Sequence, residues 1–302
     1  MPLRDRLIAA ANPDGGWPYY PGKASRIEPT SWALMALADP TPPPAGASHP
    51  HAAHVAFLRG LRHASGALLD PGAPVANPGW NGLALIALRA IGLDADPLAT
   101  GLASAVVAAK GVRLADDPGG ALAQNNQLQA WAWMDGTFSW VEPTALCLIA
   151  LKRRPGPRPP DVLARIREAE LMLLDRVCPH GGWNYGNSSV LDQDLRPYVP
   201  TTALALLAMQ DRVTEPAVQL SLDWLSGHAD SERSAMALSL AAVCLAVYRL
   251  PSQSVLMALR AQADATGFLD NAHLIAMAQF ALTIDDHDAA AFRVGGGARR
   301  AA

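Results

Sequence analysis

Two apolar runs in this 302-residue chain open with the same tripeptide, Glu28-Pro29-Thr30 and Glu142-Pro143-Thr144. Paired carboxyl groups can divide into a proton donor and a proton acceptor, the arrangement glycoside hydrolysis uses when two of them flank a bond. Phe138 and Trp140 stand just ahead of Glu142 and would give it an apolar wall. The repetition has a structural reading too: Pro presets a first helical turn, and a carboxylate there complements the helix dipole. A second acidic pair, Asp192 and Asp194, brackets Gln193, and its hard oxygens would suit Mg2+ carrying a diphosphate. Asp residues in such a loop also serve as hydrogen-bonded turn residues. Tyr185 and Tyr198 flank this loop, and Asn81, Thr202 and His273 stand at the starts of other apolar runs. Cys178 and His180 are a lone pair of soft ligands without two more, which speaks against zinc.

These residues are positioned by a repeated unit. Gly181-Gly182-Trp183, a polar loop and the apolar run from Thr201 to Gln210 recur as Gly15-Gly16-Trp17 before 28–37 and as 136–140 before 142–151. A shorter copy spans 78–88. Self-similarity at a fixed spacing marks a repeat architecture. Wholly apolar helices are expected at about 29–38, 82–92, 143–152, 201–210, 233–249 and 271–283. They alternate with amphipathic ones at about 3–11, 50–63, 97–110, 161–177, 215–227 and 252–265. A helix apolar on all sides must be buried on all sides. Six of each, with almost no strand pattern, predict an all-α toroid: six helical hairpins in an inner and an outer ring. The inner helices then converge their N-terminal ends at one mouth, where free N–H groups would favour an anionic ligand. Residues 119–134 read as an extra helical piece, 1–292 as one toroid domain, and 293–302 as a flexible tail.

Composition narrows the function. Charged residues are 17% and apolar ones 50%, so the chain can build a large core. A net charge of -3 gives no electrostatic footprint for nucleic acid. No segment reaches the length of a membrane span, and the N-terminal apolar run is too short for a secretory core. Three cysteines in no paired spacing fit reduced thiols and a cytoplasmic location.

The Gly-Gly-Trp turn followed by Thr201-Thr202-Ala203-Leu204-Ala205-Leu206 resembles the repeat of squalene and oxidosqualene cyclases and of protein prenyltransferase β subunits. The resemblance covers residues 7–212 and implies an isoprenoid-handling toroid, by carbocation cyclisation or by prenyl transfer. The prenyltransferase zinc ligands would fall on Glu142, Thr144 and Thr202, which offer neither thiolate nor imidazole. The acid that opens an inner helix in class II cyclases would be Glu142, with Trp140 and Pro143 where that family has further acids. Trp17, Trp80, Trp140 and Trp183 would clamp neighbouring hairpins. Phe138, Trp140, Asn81, Tyr185, Tyr198, Thr202 and His273 would line the substrate site, with Glu28 as a secondary catalytic carboxyl. The expected ligand is an isoprenoid or other apolar small molecule in a central cavity. Two further readings stay open: a non-catalytic toroid that binds a lipid or a protein, and a two-carboxylate glycosidase. A single helical domain leaves room for a homodimer or a partner chain.

Overall fold

The computed structural model describes residues 1–39, 48–115 and 124–294. Six helices form an inner ring: α2 (Ile27–Ala36), α4 (Pro78–Ala90), α6 (Val141–Lys152), α8 (Val199–Ala208), α10 (Ala235–Val247) and α12 (Ala272–Leu282). Six others surround them: α1 (Leu3–Ala9), α3 (Ala52–Gly60), α5 (Pro97–Ala108), α7 (Pro160–Asp175), α9 (Pro216–His228) and α11 (Gln253–Thr266). Each inner helix packs on the next in chain order, and α12 packs back on α2, so the ring closes. The outer helices pack on the inner ones that precede them, and α1 covers α12 at the closing seam. The all-α toroid expected from the apolar and amphipathic alternation is the observed architecture.

The division follows from the sequences. All ten residues of α8 are buried, as is every residue of α6 except Glu142. In α7 the buried apolar residues Val162, Ile166, Ala169, Met172 and Leu173 recur at three to four residues, with Arg165 and Glu170 buried among them, so one face is turned to the ring. Pro opens α4, α5, α7 and α9, where its missing N–H costs nothing. Where α4 and α6 meet, a Cβ on Gly79 or Gly82 would stand 3.0 Å from Pro143 or Cys147, so glycine sets that close approach.

A buried clamp joins each of three turns to the helix it precedes. The Trp17 amide donates to Thr30 Oγ1 at 2.9 Å, the Trp131 amide to Thr144 Oγ1 at 3.2 Å, and the Trp183 amide to Thr202 Oγ1 at 2.9 Å. Each indole Nε1 donates to a carbonyl of the preceding outer helix, on Leu7, Val106 and Leu173. In the second hairpin Leu68 stands where the others have Trp, and Asn81 replaces Thr, accepting from the Leu68 amide at 2.6 Å and donating to its carbonyl at 3.0 Å. The clamp tryptophan of the third hairpin is therefore Trp131; Trp140 is the N-cap residue of α6 and Trp80 lies within α4.

A second link crosses from one hairpin to the next. The first helical N–H groups of α12, α2 and α6 donate to Tyr19 O, Asp70 Oδ1 and Tyr185 O, each at 2.9 Å and each on the following hairpin's turn. Helix α4 begins with Pro78, which has no N–H to satisfy. The extra helix expected over 119–134 is not formed: 124–134 run without helix, and the start of that stretch lies outside the described residues. Non-helical backbone there is held by side chains of α7: Arg165 donates to the Ala130 carbonyl at 3.1 Å, and its guanidinium lies 4.2 Å over the Trp131 ring. Of the expected tail, Arg293 pairs with Asp288 at 2.6 Å and the Val294 amide reaches Gln210 Oε1 at 3.3 Å; 295–302 lie outside the described residues.

Trp131→Ala empties a fully buried site and orphans the Val106 carbonyl, so it is expected to cost about 3–5 kcal/mol in urea unfolding, whereas partly exposed Trp140→Ala costs about 1 kcal/mol. Equal losses would show that both tryptophans clamp the ring.

Candidate active site

The mouth of the ring gathers Glu28 from the first turn of α2, Glu142 from the first turn of α6 and His273 from the first turn of α12. Among the described residues Glu142 has no hydrogen-bond or ion-pair partner. Part of the side chain is open to the mouth, but the surrounding protein strips most of its water: desolvation pushes the carboxyl up to about 7, and the charge on Glu28 adds to the shift. A helix N-terminus would favour the anion, so desolvation outweighs the dipole here. The consequence is a carboxyl group that keeps its proton close to neutral pH.

Glu28 has a different setting, because its oxygens have company. The Tyr19 hydroxyl donates to Oε2, and His273 Nε2 stands 3.6 Å from Oε1. His273 is 7% exposed, its Nε2 has no hydrogen-bond partner, and burial holds its pKa below the usual value against the opposing pull of Glu28. Burial, then the Glu28 charge, raises the Tyr19 hydroxyl well above its ordinary range, so it remains a donor. Tyr19 also packs edge-on against the His273 ring at 5.6 Å. The turn entering α12 is unusual: Gly267, Phe268, Leu269 and Asp270 all have φ between 51° and 55°. Arg6 holds it from α1, donating to Gly267 O at 2.6 Å and to Asp270 at 2.9 Å, while Phe268 is buried beneath. Backbone strain of this kind persists where surrounding contacts over-determine it.

Two aromatic pairs lie near the start of α6, where the Val141 amide donates to Tyr185 O. Phe138 stacks on Trp140 with centroids 4.5 Å apart, and Tyr185 lies 5.3 Å from Tyr198. Tyr185 is raised by burial and by the Glu142 charge, which places the two groups within electrostatic reach. Trp140, Tyr185 and Tyr198 line a cavity of about 490 Å3 together with Asn184, Asp194 and Arg196.

The other expected site residues serve elsewhere. Asn81 and Thr202 are buried and commit their polar groups to the hairpin clamps, leaving none for a ligand. Strands β1 (Ser189–Val190) and β2 (Gln193–Asp194) form a hairpin, with Leu191 and Asp192 at φ 50° and 57° in its two-residue turn. Both positions need left-handed backbone, which Asp tolerates and Leu resists. Asp192 is thus an exposed turn residue, while Asp194 reaches the cavity wall. Among the described residues no three His, Cys, Asp or Glu side chains converge on a metal position. Tyr19 is absent from the sequence candidates, although a signal for it exists: it stands two residues after Trp17, as Tyr185 stands two after Trp183.

Because the folded state binds the Glu142 proton more tightly than the unfolded chain, this group contributes stability fully below pH 4.5 and loses it as pH rises toward 7. Glu142→Gln should therefore raise the melting temperature above pH 7, by the equivalent of about 1–3 kcal/mol, and leave it unchanged below pH 4.5. A Glu28→Gln variant should move the Glu142 titration, followed by carboxyl-carbon NMR, to lower pH.

No protein-family model matches the chain, and no curated protein sequence matches it. Its fold is similar to that of the type II terpene cyclase MstE from Scytonema. A variant in complex with geranylgeranyl dihydroxybenzoate is 14% identical, with 96% of this chain and 97% of that one covered and a TM-score of 0.55. Another, in complex with merosterolic acid A, is 15% identical over 93% and 94% of the two chains, with a TM-score of 0.56. A protein from Actinoplanes is 15% identical over 95% and 98%, with a TM-score of 0.51. At these identities the likeness establishes a terpene-cyclase-like fold.

Proposed function

We propose that this chain binds an isoprenoid at the mouth of the toroid and starts its cyclisation by protonating an alkene with Glu142. The observation that carries the reading is the Glu142 carboxyl: desolvated in the first turn of an inner helix, without a partner, and protonated up to about pH 7. Acidity alone does not let such a group protonate an alkene. The step needs a site that stabilises the cation more than it stabilises the alkene. Two features supply this. The faces of Trp140, Phe138, Tyr185 and Tyr198 offer negative potential to a cation, and Glu28 offers a fixed carboxyl within reach of Glu142. A cation formed there separates two carboxylates that would otherwise repel each other.

The likeness to cyclases that hold a geranylgeranyl substrate and its product supports the same assignment. A prenyl chain would lie along the aromatic side of the mouth, with its terminal double bond at Glu142. Mg2+ would enter only with a diphosphate-bearing substrate, through Asp194 at the cavity wall.

The test is incubation of the protein with prenyl diphosphates of increasing length, squalene and geranylgeranyl dihydroxybenzoate, with and without Mg2+, followed by mass spectrometry of extracts and of the protein. The expected result is a cyclised isomer whose formation falls about 100-fold or more in Glu142→Gln. Substrate retained but unchanged would replace this reading with that of a lipid-binding toroid, and full turnover by the variant would remove Glu142 as the acid.

A further inference from the structure

The site holds a second set of groups that neither give nor take a proton in the first step: Glu28, the Tyr19 hydroxyl bonded to its Oε2, and a buried His273 whose Nε2 faces Oε1 without a bond. We propose that Glu28 is the proton acceptor that ends the reaction and that His273 is the positioning residue behind it. The inference rests on the cyclase reading above and extends it from the first step to the last.

The geometry explains an otherwise odd orphan. His273 Nε2 and Glu28 Oε1 stand 3.6 Å apart, beyond a hydrogen bond, and in the tautomer with its proton on Nδ1 a neutral imidazole has nothing to offer a carboxylate. Once Oε1 carries a proton, the same pair becomes donor and acceptor. The unbonded Nε2 is then the partner held ready for the protonated form of Glu28. Tyr19 occupies the other oxygen, which leaves Oε1 as the one that takes the proton. The groups that face this pair come from several elements: Arg26 and Asp70 bear on Tyr19, Asp70 and Glu142 on Glu28, and Glu28 itself on His273, whose ring also lies 6.4 Å from Trp32. Giving two carboxyl groups different surroundings is how a single site assigns an acid and a base.

The chemistry balances without a co-reactant. The Glu142 O–H bond breaks and its proton adds to one alkene carbon. Ring closure moves the positive charge along the chain. A C–H bond beside the final cationic carbon then breaks, its electron pair becomes the new C=C bond, and the proton goes to Glu28 Oε1. The product is an isomer of the substrate, and water returns the proton to Glu142.

The experiment compares wild type, Glu28→Gln, His273→Gln and His273→Leu, each first checked for a cooperative unfolding transition, using geranylgeranyl diphosphate or whichever prenyl substrate in the panel above the wild type turns over. Products are separated into alkene isomers and water-captured alcohols. Glu28→Gln should slow turnover and raise the alcohol-to-alkene ratio about tenfold, since a cation without its base survives until water reaches it. His273→Gln keeps an acceptor and should stay close to the wild-type ratio, while His273→Leu, which only fills space, should raise it. An unchanged ratio in Glu28→Gln, equal ratios in the two His273 variants, or an alcohol as the wild-type product would each overturn the inference while leaving Glu142 as the acid. No conversion by wild type would overturn the cyclase reading, and this inference with it.

Discussion

A helix that is apolar on every side has one stable place, between other helices, and that requirement governs this molecule. Six such helices can all be enclosed only if the sixth returns to the first, so α12 must meet α2. The seam is held where the physics of helix ends demands a partner: the Ala272 N–H, with no carbonyl of its own helix to bond, donates to Tyr19 from the beginning of the chain. Arg6 adds a grip on the turn before α12. Closing the ring also builds half of the site, because it sets His273 beside Glu28 from opposite ends of the sequence.

The same closure explains the electrostatics of the mouth. Inner-helix N-termini gather there and would lower the pKa of any carboxyl group exposed to water. Glu142 escapes that effect because its helix is otherwise wholly buried, so desolvation outweighs the helix end, and the Glu28 charge adds to the shift. Glu28, two inner helices away, has a phenol to bond and an imidazole beside it. Identical tripeptides thus end in different surroundings. Position around the ring, and not local sequence, sets what each carboxyl group meets.

The clamps show where a repeat can mislead. Trp17 and Trp183 directly follow Gly-Gly turns and do clamp their hairpins, which the motif made legible. In the third hairpin the same motif points to Trp140, yet the clamp is Trp131, 13 residues before Thr144 as Trp17 is 13 before Thr30. Asn81 keeps that interval too, 13 residues after Leu68, and is occupied with the backbone. Only the fourth hairpin stretches it, to 19 residues between Trp183 and Thr202, because the β1–β2 hairpin is inserted between them. What the repeats preserve is the hydrogen bond from turn to helix, so the spacing to the helical threonine locates the clamp better than the glycines do.

The repeated unit and the apolar and amphipathic periodicity determined the twelve helices of the two rings and their alternation, because burying a continuous apolar surface leaves few other arrangements, while the helical reading of 119–134 failed over 124–134. The sequence also marked Glu28, Glu142 and His273 as residues at helix starts. Tertiary structure decided the rest: that Glu142 stands without a partner, that Tyr19 and His273 close on Glu28, and that Asp192 is a turn residue. A partner is a matter of distances between segments far apart in the chain, and a desolvation penalty depends on everything packed around the group. Neither quantity is carried by the spacing of residues along a single segment.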